Sequence, residues 1–476
     1  VTAGDHSAWS WLLVALLLAW PAHNLVLAAF GFRVPRPRRP PSRRPLHFWI
    51  IVPALNEELV VGNTVRAALA LDAPYTPVRV LVVDDGSDDR TPEVLAAIDD
   101  PRLTVLRRDL PDARQGKGVA LNVAYRRIRE IAKRERTTDR TVLGVIDGDG
   151  RGSPNLLREV SAFFADQAVG AVQCRVRIHN RRPVLGLLQD IELACVADAT
   201  QSLRDLVGTV SLGGNGQFTR LRELIRFGDN PWSECLVEDL ELGLRLHLAG
   251  ARIRYCRTGW VTQQAVVDSR RLLRQRTRWA QGNLQCLGYV PRLAHSPAVG
   301  SVALLDFLHC LLTPWATIPL SALVAVVLGL TCSGLVFPTP GSPLAAAGSE
   351  VWAAGGAILA AAVGPGLLWA VVHRGRLRDA RWGRCLLAGL CYPAFLLLGV
   401  AATWRALVRH LLRRQAWVKT ERLVETAEPV APPPAGVVFT PARPGMRLLR
   451  LRGRAERSGA AADERRPGRK RRRPEA

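Results

Sequence analysis

Thr141-Val142-Leu143-Gly144-Val145-Ile146-Asp147-Gly148-Asp149 decides the fold: an apolar run closes on two carboxylates separated by one glycine. A short apolar run ended by a polar turn reads as a buried strand. Two acids two residues apart at a strand end can reach one hard divalent ion, and the glycine lets a diphosphate approach closely. A structural calcium loop would need more oxygen ligands in the next positions, and Gly150-Arg151-Gly152 does not supply them.

Working outward, comparable runs stand at 48–52, 78–83, 103–106 and 169–173, with helical patterns between them from residue 46 to about 255. That alternation is the signature of an α/β domain with a mainly parallel sheet. Open α/β sheets bind ligands at the carboxyl ends of their strands, so the polar clusters that follow the runs should line one crevice. The first cluster is Asn56-Glu57-Glu58 and the second is Asp84-Asp85-Gly86-Ser87. Either could be a capped turn, and in a nucleotide site the same carboxylates would accept hydrogen bonds from base or ribose. Gly116-Lys117-Gly118 places a lone lysine at a helix start, where a cation beside free amides suits a diphosphate. Glu238-Asp239 opens an amphipathic helix, and acids favour that end; a helix start also holds its side chains rigidly for chemistry. Gly213-Gly214-Asn215-Gly216-Gln217-Phe218 reads either as a simple turn between elements or as a glycine-rich stretch beside the site.

Membrane signals flank this domain. The hydrophobic share of 48% lies between soluble and membrane classes. Segments 8–32, 302–331, 351–373 and 384–408 are long and apolar enough to cross. The loop 332–350 lacks Lys and Arg and should be outside, whereas 374–384 is basic and should be inside. Three single crossings would then leave the basic stretch 405–422 outside, so one segment, the proline-bearing 302–331, is expected to be interfacial or re-entrant. Arg271, Arg274 and Arg278 with Leu272, Leu273 and Trp279 form a basic amphipathic helix suited to the interface. The net charge of +24 comes almost wholly from arginine. The basic tail lacks interleaved aromatics, so anionic lipid is expected there and nucleic acid is not. Nine cysteines without a C-x-x-C pair argue against a zinc site or a disulfide framework.

Taken in order, Asn56-Glu57-Glu58, Asp84-Asp85-Gly86-Ser87, Gly116-Lys117-Gly118, Asp147-Gly148-Asp149, Glu238-Asp239 and Gln275-Arg276-Thr277-Arg278-Trp279 resemble the membrane-embedded family 2 inverting glycosyltransferases. Cellulose, hyaluronan, chitin and poly-N-acetylglucosamine synthases belong to that group. The resemblance covers roughly 48–282. It implies a GT-A fold, a nucleotide-diphosphate-sugar donor, and Mg2+ or Mn2+. By position it implies that Asn56, Glu57 and Asp84 or Asp85 frame the nucleoside and that Lys117 sits near the base or diphosphate. It places the metal-diphosphate on Asp147 and Asp149, the base at Asp239 beside Glu238, and the acceptor end at Gln275, Arg278 and Trp279. Trp417-Val418-Lys419-Thr420-Glu421-Arg422 resembles a cytoplasmic gating segment of related synthases. Val237 departs from the pattern, since the family usually has Thr before the acid pair.

The expected organisation is an anchor over 1–32, a basic linker over 33–45 and a cytoplasmic catalytic domain over 46–270. Interfacial helices over 271–300 and a membrane region over 301–408 follow, then a basic segment over 409–424 and a disordered tail over 425–476. A multi-pass protein of the cell membrane follows, acting on a glycan or lipid acceptor and contacting membrane lipids. The leading expectation is a processive β-polysaccharide synthase. Transfer of one sugar to a lipid uses the same donor motifs. A silent membrane scaffold is the third reading, against which the intact acids Asp147, Asp149 and Asp239 speak.

Overall fold

The computed structural model describes residues 18–33, 45–336, 348–413 and 422–423. Residues 1–17, the linker 34–44, the loop 337–347, the segment 414–421 and the tail from 424 lie outside the described residues, and with them the expectations placed there. Eight strands build the catalytic half: β1 (His47–Ala54), β2 (Arg79–Asp84), β3 (Leu103–Arg107), β4 (Thr141–Val145), β5 (Arg151–Gly152), β6 (Val169–Ile178), β7 (Gln217–Arg220) and β8 (Arg252–Gln263). They form one sheet in the order β3-β2-β1-β4-β7-β6-β8-β5. The helices are α1 (Leu18–Phe30), α2 (Val61–Leu69), α3 (Thr91–Ala96), α4 (Lys117–Arg134), α5 (Leu156–Phe163), α6 (Val184–Ile191), α7 (Asp198–Val207), α8 (Leu221–Ile225), α9 (Glu238–Leu248), α10 (Ser269–Cys286), α11 (Val290–Ala294), α12 (Ser301–Val336), α13 (Gly348–Leu377) and α14 (Trp382–Leu411).

All five apolar runs read from the sequence are strands. β1 lies between β2 and β4, with β3 outside β2, and these four are parallel. β1 and β4 are buried along nearly their whole length because helices cover both faces. One face packs on Val61, Val65, Leu156 and Val160 of α2 and α5. The other packs on Ala120, Leu121, Ile128, Leu242 and Leu246 of α4 and α9.

Beyond β4 the sheet becomes mixed. β7 runs antiparallel to both β4 and β6, and β5 runs antiparallel to β8. The glycine turn 213–216 delivers the chain to the end of β4, where the Gly216 N–H donates to Val145 O at 2.8 Å. β7 therefore leaves in the opposite direction. Gly144 permits the pairing: a Cβ there would lie 2.4 Å from the Phe218 ring. That ring packs edge-on against Phe48, with centroids 6.4 Å apart.

A third core joins the catalytic half to the apolar helices through Leu27, Leu188, Ile191, Leu272, Trp369 and Tyr392. Within it the buried His373 ring on α13 bonds Asp190 of α6 at 2.8 Å. Among the described residues, three helices are long and apolar enough to cross a membrane: Ser301–Val324, Gly355–Leu377 and Trp382–Leu411. α12 is one continuous helix through Pro314 and Pro319. Neighbouring groups can absorb the backbone carbonyls that a proline leaves unpaired. The described part of the expected N-terminal anchor, Leu18–Phe30, is shorter than the roughly 20 residues a crossing needs.

Candidate active site

Strand ends and helix starts converge on one cavity of about 430 Å³. Glu57, Asp85, Lys117, Asp147 and Asp149 line one end. Glu238 and Asp239 stand in the middle, and Gln275, Arg278 and Trp279 lie toward α12, which contributes Cys310. Asn56 and Asp84 do not line it. Asn56, at a positive φ of 51°, exchanges hydrogen bonds with Asp88, and its own N–H donates to Ser87 Oγ at 2.9 Å. Asp84 has both oxygens engaged, by the Ser87 N–H at 3.0 Å and by Arg107 at 2.7 Å. These two therefore latch the first two strand-end loops together and stand behind the wall.

The wall itself is charged and buried. Asp85 pairs with Arg108 at 2.6 Å, and burial raises its carboxyl above the ordinary value against the pull of that guanidinium. Lys117, the first residue of α4, reaches Asp147 at 2.5 Å and Glu238 at 3.6 Å. Burial disfavours its charge, yet Asp147, Glu238 and Asp239 together raise its pKa. Burial likewise opposes the Asp147 carboxylate, but Lys117 holds it below the usual range.

Glu238 and Asp239 behave differently. Burial pushes Glu238 up to about 7, with Lys117 opposing and Asp239 reinforcing the rise. Asp239 is also raised, first by burial. One Asp239 oxygen accepts the Leu240 N–H at 2.7 Å. The other lies 2.8 Å from where a Cβ on Gly214 would stand, and Gly214 has a φ of +70°. The glycine turn thus lets Asp239 and Lys117 approach, and it adds Gly213 to the cavity wall.

α10 supports the acid pair from the other side. Arg278 Nη1 donates to Leu236 O at 3.0 Å, and Gly282 sits so close that a Cβ would meet the Val237 side chain at 2.7 Å. Val237 thus packs where the resembling family usually carries a hydroxyl. Arg276, absent from the expected site, stacks over the Trp279 ring at 4.5 Å and pairs with Glu192 at 2.8 Å. One Trp279 face is therefore already covered.

Sequence reasoning missed the most consequential contact. Arg422 Nη1 lies 3.0 Å from Asp149 Oδ2, and its Nε lies 3.3 Å from Glu57 Oε2. Gln264 holds the same carboxylate through its N–H at 2.7 Å and exchanges two hydrogen bonds with the Leu423 backbone. Arg422 is 273 residues from Asp149 along the chain, so only the resemblance at 417–422 pointed toward it. A guanidinium shared by two buried carboxylates marks a cradle for positive charge. Among the described residues no three His, Cys, Asp or Glu are grouped to hold a metal unaided. The set still fits Mg2+ or Mn2+, which bind through one or two carboxylates and complete their shells with substrate oxygens.

The family described as Glycosyltransferase like family 2 matches residues 45–282. A beta-monoglucosyldiacylglycerol synthase from Synechocystis sp. (strain ATCC 27184 / PCC 6803 / Kazusa) is 35% identical over 50% of this chain and 47% of its own. The synthase of the same description from Trichormus variabilis is 32% identical over 58% of each chain. A poly-beta-1,6-N-acetyl-D-glucosamine synthase from Staphylococcus aureus (strain COL) is 28% identical over 49% of this chain and 53% of its own. This chain thus spans about half the length of these curated relatives. Among solved structures, the mannosyltransferase PcManGT from Pyrobaculum calidifontis, in complex with GDP-Man and Mn2+, superposes with a TM-score of 0.52 at 19% identity. That alignment covers 84% of this chain and 99% of the other, and it shows a shared GT-A-like fold. With the match extending over half of its length, the chain belongs to the family 2-like glycosyltransferases.

Proposed function

We propose that the protein is a membrane-bound, metal-dependent inverting hexosyltransferase that uses a nucleotide-diphosphate-sugar. One observation carries the reading: Lys117, Asp147, Asp149 and the Glu238–Asp239 pair share a single cavity at the carboxyl ends of parallel strands. The nucleoside lies along Glu57 and Asp85. Asp147 and Asp149 would hold Mg2+ or Mn2+, which neutralises charge developing on the diphosphate leaving group. Lys117 adds a fixed cation beside it. Asp239 takes the proton from the acceptor hydroxyl as that oxygen attacks the anomeric carbon opposite the diphosphate. Glu238, whose carboxyl is raised to about 7, stays near neutrality at working pH and leaves Asp239 as the charged partner.

The apolar helices support an acceptor end beside a membrane, and the basic loop 374–384 supports a catalytic half on the cytoplasmic side. Repeated transfer that builds a β-linked glycan is the reading that Gln275, Arg278 and Trp279 at the acceptor end support. Single transfer to a lipid is the second reading: Leu193, Ala197, Leu240 and Cys310 give the cavity an apolar share of wall beside Gln201 and Arg204. The Synechocystis and Staphylococcus relatives carry names of one kind each. The test is incubation of membranes containing the protein with radiolabelled nucleotide-sugars and Mg2+ or Mn2+. Long product supports the glycan reading and a single-sugar lipid the other. Absence of transfer from every donor overturns both.

A further inference from the structure

Cys235 and Cys286 have no sequence signature in common, yet the fold brings their sulfurs to 3.9 Å. Cys235 stands three residues before Glu238, and Cys286 is the last residue of α10. They meet at the floor of a surface hollow, separate from the catalytic cavity, whose rim includes Ser233, Glu234, Glu241 and Tyr289. Both line this hollow, Cys235 half-buried and Cys286 buried.

The surrounding bonds tie the pair to the base. The Leu236 N–H donates to Gln285 Oε1 at 3.0 Å, Cys235 Sγ approaches the same oxygen at 3.4 Å, and Arg278 holds Leu236 O. Residues 278, 282, 285 and 286 share one face of α10 by helical spacing. The turn that delivers Asp239 is thus zipped along the helix that carries Gln275 and Trp279. Two sulfurs in van der Waals contact lie about 1.9 Å farther apart than the 2.05 Å of a disulfide, a gap that closes only if the turn or the helix end shifts.

We propose that Cys235 and Cys286 form an oxidisable dithiol, and that closing it displaces the Asp239 turn and slows sugar transfer. The oxidant is a peroxide. Cys235 sulfur attacks one peroxide oxygen, the O–O bond breaks, and water leaves with formation of a sulfenic acid. The Cys286 sulfur then attacks the Cys235 sulfur and expels the second water. Two thiols lose two electrons and two protons, and one peroxide becomes two waters. Cys235 is the nucleophile: the hydrogen bond from the Cys286 thiol lowers its pKa against burial, aided by the Val237 N–H. The Cys286 thiol is raised by the same hydrogen bond and by burial. In reducing compartments such pairs are characteristically transient and redox-sensing. Cys174 and Cys256 also face each other across β6 and β8, but both are sealed inside the sheet.

The effect on transfer rests on the proposed reaction, whereas closure of the bond does not. The test treats the purified full chain with stoichiometric hydrogen peroxide, maps linked peptides by mass spectrometry, and measures transfer before and after dithiothreitol. The expected result is a Cys235–Cys286 link and at least ~10-fold slower transfer, given that an ångström of misplacement at a reacting group can cost about 100-fold. Dithiothreitol restores the rate, and Cys235→Ser and Cys286→Ser keep the reduced rate but lose the peroxide response. Equal inactivation of either variant, a link confined to Cys174 and Cys256, or a Cys235–Cys286 link with transfer unchanged would overturn the proposal. A reduced protein inactive with every donor would sink the proposed reaction instead, and the peptide map would still decide whether the dithiol closes.

Discussion

At the donor end of the cavity, charged side chains stand on the loops after β1, β2 and β4, and each meets a cation: Arg108 on Asp85, Lys117 on Asp147, Arg422 on Asp149 and Glu57. At the proposed acceptor end, α9 and α10 present Asp239, Gln275 and Trp279, and the apolar helix α12 adds Cys310 to the wall. Burial has opposite consequences at the two ends. Where a cation accompanies the carboxylate, as at Asp147, its pKa falls. Where the cation is farther away, as at Glu238, burial wins and the pKa climbs to about 7. In the proposed reaction the donor end is therefore an electrostatic clamp, and the acid pair at the boundary is suited to proton transfer.

The contrast is easiest to break at its boundary. Asp239→Asn removes the base and leaves the donor clamp intact. Transfer should fall by about 10²–10⁴-fold, with donor affinity by equilibrium dialysis unchanged; an equal loss of affinity would erase the distinction between the ends. Lys117→Met strips the cation that faces three carboxylates. Orphaning buried charges of this kind costs about 3–5 kcal/mol, measurable by urea unfolding, and donor binding should weaken with it.

Two glycines sharpen the comparison at equal cost in stability. Gly282→Ala and Gly144→Ala each introduce a methyl group into occupied space, against Val237 and Phe218 respectively, at about 1–3 kcal/mol each. Only Gly282→Ala moves the turn before Glu238, so only it should lower the transfer rate per folded molecule. The smallest effect is on pH. A carboxylate base works when deprotonated, and burial raises Asp239, so transfer should decline on acidification at a higher pH than an ordinary aspartate would set. Glu238→Gln removes the neighbour that titrates at about 7, and the acid limb of the pH–rate profile should persist, because burial of Asp239 sets it.

The donor end was legible in the sequence because each of its pieces is local: an apolar run, then acids, then a glycine or lysine. Asp147, Asp149, Lys117 and Glu238 announce themselves within a few residues of a strand or helix boundary. Asn56 and Asp84 sit in equally local motifs, yet hydrogen bonds to the neighbouring loop turn them into structural latches. No single loop encodes that choice. β7 escaped because its four residues owe their pairing to β4, far earlier in the chain, and not to periodicity. Arg422 and the Cys235–Cys286 contact escaped for the same reason, since distant segments meet there through tertiary packing alone.

The central claim is a single displacement driven by one base, Asp239, against a metal-assisted diphosphate. Proton NMR of the first transfer product, taken with a donor of known anomeric configuration, tests it most directly. The account expects the new glycosidic bond to carry the opposite configuration from the donor. A product that retains the donor's configuration would contradict it.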